Sequence, residues 1–209
     1  IIALLNTQSY FDLLSIPYPS DRSGVLERFS SEGFITKHRG TYNITNLGAI
    51  LFAKDLNQFQ GLKRKSIRVI IYDGKNKLKT IREQIRVRGY AVGFAGLVNW
   101  VNSQLPANEV IGKALRREVR MYPEIAIREL TANALIHQDF DEKGFPMIEI
   151  YSDRIEVSNP GLPLITPDRF IDEYQSRNEQ LADVLRRLGI CEEKGSGIDK
   201  VIASTEVYQ

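Results

Sequence analysis

A single cysteine, Cys191, stands in 209 residues. It excludes an internal disulfide and a multi-cysteine zinc site, and it fits a reducing compartment, so a cytoplasmic location is expected. Histidine is nearly as scarce. His38 and His137 lie far apart in sequence with no cysteine partner, so no histidine-based metal site is expected. No apolar run approaches the roughly 18 residues of a membrane span. No signal peptide is visible at Ile1, and no membrane partner is expected. The phosphate loop G-x-x-x-x-G-K-[ST] is absent, because "DGKNK" and "IGKAL" lack both the spacing and the Ser/Thr. H-E-x-x-H and G-x-S-x-G are absent too. These absences set aside a Walker-loop motor, a zinc protease of that type and a serine elbow.

What is present suits a folded α/β (α+β) chain: 43% hydrophobic and 26% charged residues, enough for one large domain or two small ones. The net charge of +2 hides an asymmetry. Residues 1–60 balance five Lys/Arg against five Asp/Glu. Residues 61–120 carry fourteen basic and four acidic, and residues 121–209 nine basic and seventeen acidic. A basic middle beside an acidic end implies different partners for different surfaces, or mutual attraction of the two regions. These boundaries suggest three segments. The first is a helical and hairpin part over 1–60, resembling part of a winged helix. The second is a basic strand-helix part over 61–120. The third covers 121–209 and packs with the second as one domain.

Spacing predicts a helix over 3–15 and another near 22–32, capped by Ser20 or Asp21. A hairpin is expected around His38-Arg39-Gly40. A helix capped by Thr45 or Asn46 follows. "KSIRVIIYDG" reads as a strand. "TIREQIRVRG" alternates, with Ile81, Ile85 and Val87 on one side and Arg82, Gln84, Arg86 and Arg88 on the other. Arg82, Arg86 and Arg88 are candidate phosphate contacts, or a solvated sheet face. A helix from Phe94 to Leu105 and a strand within 109–119 come next. Two strands meeting at Ser152-Asp153 and the helix "LADVLRRLGI" complete the pattern.

"RELTANALIHQDF", residues 128–140, predicts a helix on which Glu129, Asn133 and His137 recur every four positions and share one side. Further on come Asn159-Pro160-Gly161 after a strand and Gly195-Ser196-Gly197 before a helix. Each alone has a plain reading: a solvated helix face, a turn, a joint. Together they supply a carboxylate to polarise water, an amide oxygen to hold Mg²⁺ beside phosphates, and glycine amides at a helix start to meet an anion.

The stretches "IRELTANALIHQDF", "IEIYSDRIEVSNPGLP" and "SRNEQLADVLRRLGICEEKGSGIDKVI", in that order, resemble the GHKL-type (Bergerat-fold) ATPase-like domain of RecG-related proteins. Those proteins are often named ATP-dependent DNA helicases or transcriptional regulators. "YNITNLGAILFAKDL" fits as well, so the resemblance spans about residues 8–209. It implies ATP and Mg²⁺ as ligands and a bacterial DNA-associated protein whose AlbA/Schlafen-like DNA-binding domain precedes Ile1. It implies Asn133 for Mg²⁺ and phosphate, and Glu129 for the attacking water. Asn159 and Gly161 would serve the adenine, and a lid would cover about 162–194. Gly195, Ser196 and Gly197 would meet the phosphates, with His137 at the pocket rim. Asn159 stands where that family has aspartate, and Pro163 where it has a second glycine. Losing charge assistance to the adenine amino group costs on the order of 1 kcal/mol.

Three readings follow. The first is a nucleotide-binding module with weak ATPase activity, not a helicase motor. The second is a scaffold or dimerisation unit with a relic pocket, for which a homo-oligomer is expected. The third is DNA binding through the basic middle.

Overall fold

Two polar side chains decide where N-terminal helices begin. The structure, a computed structural model, describes residues 1–105, 107–111, 116–120, 122–165, 175–191 and 201. The first helix, α1 (Gln8–Leu14), ends at Ser15 with a left-handed φ of 53°. Asp21 accepts from the Gly24 N–H at 2.7 Å and starts α2 (Arg22–Ser31). Thr45 accepts from the Gly48 N–H at 3.0 Å and starts α3 (Asn46–Phe52). Between them β1 (Ile35–His38) and β2 (Thr41–Ile44) form an antiparallel hairpin. Arg39 and Gly40 turn it with φ of 48° and 81°, the positive values that suit a two-residue turn.

The helix expected over 3–15 begins only at Gln8. Leu5 instead bridges Ala53, the Asn6 N–H donates to the Phe52 carbonyl at 2.7 Å, and the Lys54 N–H donates to Leu4 at 2.9 Å. Tertiary pairing with the end of α3 overrides the helical spacing there. In α3 itself Gly48 to Phe52 are all buried. That helix is spent on packing and offers little to a nucleic-acid groove. Tyr10, Phe11, Phe29, Phe34 and Phe52 meet mostly edge to face, with neighbouring centroids 4.9–6.4 Å apart.

The next part supplies strands β3 (Ile67–Tyr72) and β4 (Thr80–Arg86), then helix α4 (Tyr90–Gln104). Strands β5 (Ala107–Ile111) and β6 (Arg116–Arg120) pair antiparallel, so the single strand expected within 109–119 is a hairpin. Helix α5 (Glu124–Ile136) follows, then β7 (Met147–Ile150), β8 (Ile155–Ser158) and α6 (Glu179–Arg187). The main sheet has the order β4-β3-β7-β8 and is mixed. Because β3 and β7 run parallel, the chain between them must cross over, and it carries α4 and α5 as it does so.

Ile67, Val69, Ile148 and Ile150 join α4, α5 and α6 in one apolar cluster that extends back to Leu5. On the opposite face Ile70, Tyr72 and Tyr151 form a smaller one. The result is α+β, with helices on a mixed sheet. Strand β4 is covered on its arginine side only in part, at Arg86, while Arg82 stays exposed. Arg86 lies 4.5 Å from the Trp100 ring centroid in α4, and Arg82 donates to Gln104 at 3.4 Å. Ile81 and Ile85 turn to solvent, 64% and 44% exposed.

Candidate functional site

Helix α5 holds its polar row at graded depth. Glu129 is buried, 2% exposed, while Asn133 and His137 are half-buried. Ala126, Ala132, Ala134 and Leu135 pack inward and fix that row's direction. The Glu129 carboxylate acts electrostatically on Cys191, whose thiol is pushed up to about 11, chiefly by burial. His137 ends the helix, its N–H donating to the Asn133 carbonyl at 2.9 Å. Burial first, and the Arg177 charge second, hold its imidazole below the usual histidine range. His137 is therefore neutral at pH 7.

The stretch after α5 is where the remaining parts converge. Asn159 donates through Nδ2 to the His137 carbonyl at 3.2 Å and to Pro160 at 3.3 Å. The Asp139 N–H donates to the Pro160 carbonyl at 2.8 Å. Gly161 has φ of 104°, and a Cβ there would lie 2.6 Å from the Asp139 Cβ. The glycine is thus required twice, by conformation and by closeness. Gly161→Ala is expected to cost about 1–3 kcal/mol, from left-handed strain plus a close contact. An unchanged melting temperature in that variant would contradict the close approach.

Two residues not singled out from sequence complete the junction. Arg177 donates to the Asp139 carboxylate at 2.7 Å and to the Leu162 carbonyl at 2.6 Å. Asn178 donates to the carbonyls of Ile136 at 2.6 Å and Gln138 at 2.8 Å, satisfying groups that the end of α5 leaves open. The only trace of this in the sequence is an asparagine ahead of an amphipathic helix. Buried Lys65 secures the same loop, donating to Asp139 at 3.1 Å and Glu142 at 2.7 Å. Tyr90 joins it from α4, donating to the Lys65 carbonyl at 2.5 Å and accepting from Gln138 at 2.6 Å.

The structure therefore brings His137, Asn159 and Gly161 together at the end of the helix that carries Glu129 and Asn133. Gly195, Ser196 and Gly197 lie outside the described residues. Arg82 and Arg86 contact α4, and Arg88 is exposed beyond the end of β4. Among the described residues no group of three or more His, Cys, Asp or Glu could hold a metal ion. Nor is any described helix long and apolar enough to cross a membrane.

No curated protein matches the chain. Among solved structures, the crystal structure of the DIP2311 protein from Corynebacterium diphtheriae is similar in fold, with a TM-score of 0.72 at 20% identity. The match covers 93% of this chain but only 38% of that one, so this chain spans well under half of that protein. Strands β7 and β8, the Asn159–Gly161 turn, Arg177, Asn178 and α6 all fall within residues 144–209, the stretch that matches the family described as "Putative ATP-dependent DNA helicase recG C-terminal".

Proposed function

We propose that this chain is the nucleotide-binding, ATPase-like module of a RecG-related bacterial regulator. It works in the cytoplasm, and DNA is recognised by a domain upstream of Ile1. The observation that carries this reading is the junction of α5 with the Asn159–Gly161 turn. A helix bearing Glu129 and Asn133 ends against the turn that the GHKL resemblance gives to adenine, and that turn lies within the family match.

The residues fit the ligands. Asn159 commits its amide N–H groups to protein carbonyls, which leaves Oδ1 as an acceptor for an exocyclic amino group. Mg²⁺ keeps several waters and takes few protein ligands beside phosphates, so one amide oxygen, that of Asn133, would suffice to hold it, no carboxylate cluster being present among the described residues. When bound, the ion neutralises phosphate charge. Asn133 orients it, neutral His137 adds no competing positive charge at the rim, and Glu129 supplies a carboxylate set deep beside the helix. That depth favours a second reading. A group 2% exposed is poorly placed to meet a water, so binding with little or no hydrolysis also fits. In this form the module senses nucleotide, or acts as a scaffold or dimerising unit.

Calorimetry with Mg²⁺–ATP is expected to give a Kd of about 10 µM to 1 mM. At one hundred times Kd the fold gains about 2.7 kcal/mol. Asn133→Ala is expected to weaken binding, whereas Glu129→Ala leaves affinity nearly intact and removes any hydrolysis. An absence of binding heat at millimolar ATP overturns the nucleotide reading. Equal loss of affinity in both variants overturns the division of roles.

A further inference from the structure

A cavity of 640 Å³ opens between α3, residues 60–65 and the start of α6. Glu129, Asn133, His137 and Asn159 do not line it, whereas Lys65, Arg177 and Asn178, which hold the junction after α5, form the wall it shares with that site. Its floor is apolar, built from Leu47, Ile50, Leu62 and Leu181 beside the half-buried ring of Phe140. Asn46, Gln60 and Gln180 stand around it with side-chain amides that enter no hydrogen bond among the described residues. Ser176 also lines it. That serine is 8% exposed, and its Oγ is buried without a hydrogen-bond partner among the described residues. Such an orphaned hydroxyl is costly unless something else bonds to it.

The lining charges cancel. Lys65 and Arg177 face Asp141 and Glu179. Both cations are already committed, Lys65 to the carbonyls of Asp139 and Glu142 and, 5.5 Å from its centroid, to the Phe140 ring, Arg177 to Asp139 and the Leu162 carbonyl. A polyphosphate would find little free positive charge here. A flat ring edged with donors and acceptors finds more. Primary amides pair with the adjacent acceptor and donor of a purine edge, and an aromatic ring supplies a stacking surface. The volume lies within the range of small-molecule sites.

We propose that this cleft is a second ligand site, one that takes a purine nucleoside through its base. Asn46, Gln60 and Gln180 read the base edge, Phe140 stacks on it through the ring face away from Lys65, and the Ser176 hydroxyl gains a partner. The occupant would touch α3 on one wall and the Arg177-Asn178 stretch on the other, and so bridge the N-terminal helices and the loop that closes α5.

Saturation-transfer NMR and calorimetry on the full chain, with adenosine, guanosine and cytidine up to about 5 mM, test this. Saturable purine nucleoside binding is expected, with cytidine weaker. Gln180→Ala and Asn46→Ala each remove an exposed, unbonded amide, so their melting temperatures should match the parent chain. Each should weaken the nucleoside about tenfold, the loss of one amide–base pair. Asn159→Ala, which removes the amide assigned to adenine at the turn after α5, should not abolish this binding. Three outcomes overturn the proposal: no saturable binding of any nucleoside, binding indifferent to both amide substitutions, or binding lost in Asn159→Ala but kept in Gln180→Ala.

Discussion

Gly48→Ala is expected to lower the unfolding free energy by about 3 kcal/mol, although alanine is the better helix former. Helix propensity favours the change by about 1 kcal/mol. Packing opposes it and wins. A Cβ at position 48 would sit 2.0 Å from the Phe34 carbonyl oxygen and 2.8 Å from its carbon. The obstacle is backbone, and it is pinned: that same oxygen accepts from the Thr45 N–H at 3.1 Å and from the Thr45 hydroxyl at 3.0 Å. Relief requires α3 to move away from the hairpin, which opens gaps around the fully buried Leu51 and Phe52. For a chain of this length 1 kcal/mol corresponds to about 2–4 °C, so the melting temperature should fall by about 6–12 °C. A variant that melts with the parent would show that α3 does not approach β1 so closely.

Phe29→Ala should cost still more, about 3–5 kcal/mol, against a total stability of about 5–15 kcal/mol for a domain. Phe29 is wholly buried at the centre of the N-terminal aromatic group. Its ring centroid lies 5.6 Å from that of Tyr10, 5.4 Å from Phe34 and 5.5 Å from Phe52. Truncation removes those contacts together, and a ring-sized hole among aromatic neighbours does not collapse easily. Phe29→Leu keeps most of the volume and should lose markedly less. Urea unfolding of both variants separates the cases. Equal midpoints would mean that the cavity closes freely.

Much of the frame was legible because its causes are local. Asp21 and Thr45 cap helices through their own side chains, the Arg39-Gly40 turn is set by glycine's tolerance of positive φ, and the run on α5 has one period throughout. The failures have a common physical source. Alternation along β4 separates isoleucines from arginines, but only the position of Trp100 on α4 decides that Arg86 is half-covered while Arg82 stays exposed. Residues 3–6 carry helical spacing and make one turn back to the Ile1 carbonyl, yet pairing with residues 52–54 stops that turn from continuing as a helix. In the candidate site, Glu129 and Asn133 are visible as a spacing, and the depth of Glu129 is not, because depth depends on neighbours far along the chain. Arg177 and Asn178 escaped notice for a related reason. They bond mainly to backbone carbonyls, which every residue has and no sequence pattern marks.

Helix α6 is tied at both ends to parts of the molecule that differ in character. At its start Asn178 hooks the last carbonyls of α5, and at its finish Arg187 donates to Glu32 at 2.7 Å. Glu32 in turn accepts from Tyr10 at 2.8 Å and pairs with Arg28 at 3.1 Å. Burial alone would raise the Glu32 pKa, but Arg187 and Tyr10 outweigh it and hold the carboxyl below the ordinary glutamate range. A depressed carboxyl stabilises the fold above its unfolded value and loses that contribution as pH falls through the folded one. Acid should therefore release the far end of α6 before it touches the Asn178 hook, whose partners are neutral amides. The bonds from Arg128 to the Gly189 and Ile190 carbonyls, just past α6, do not titrate, so only the tie to α2 is loosened. In hydrogen exchange between neutral pH and about pH 3, below the ordinary glutamate range, and after correction for the intrinsic rate, protection should drop at the C-terminal turn of α6 and in α2 together. The last turn of α5 should keep its amides closed, and loss of protection along all three helices at once would show that α6 moves as part of a single block.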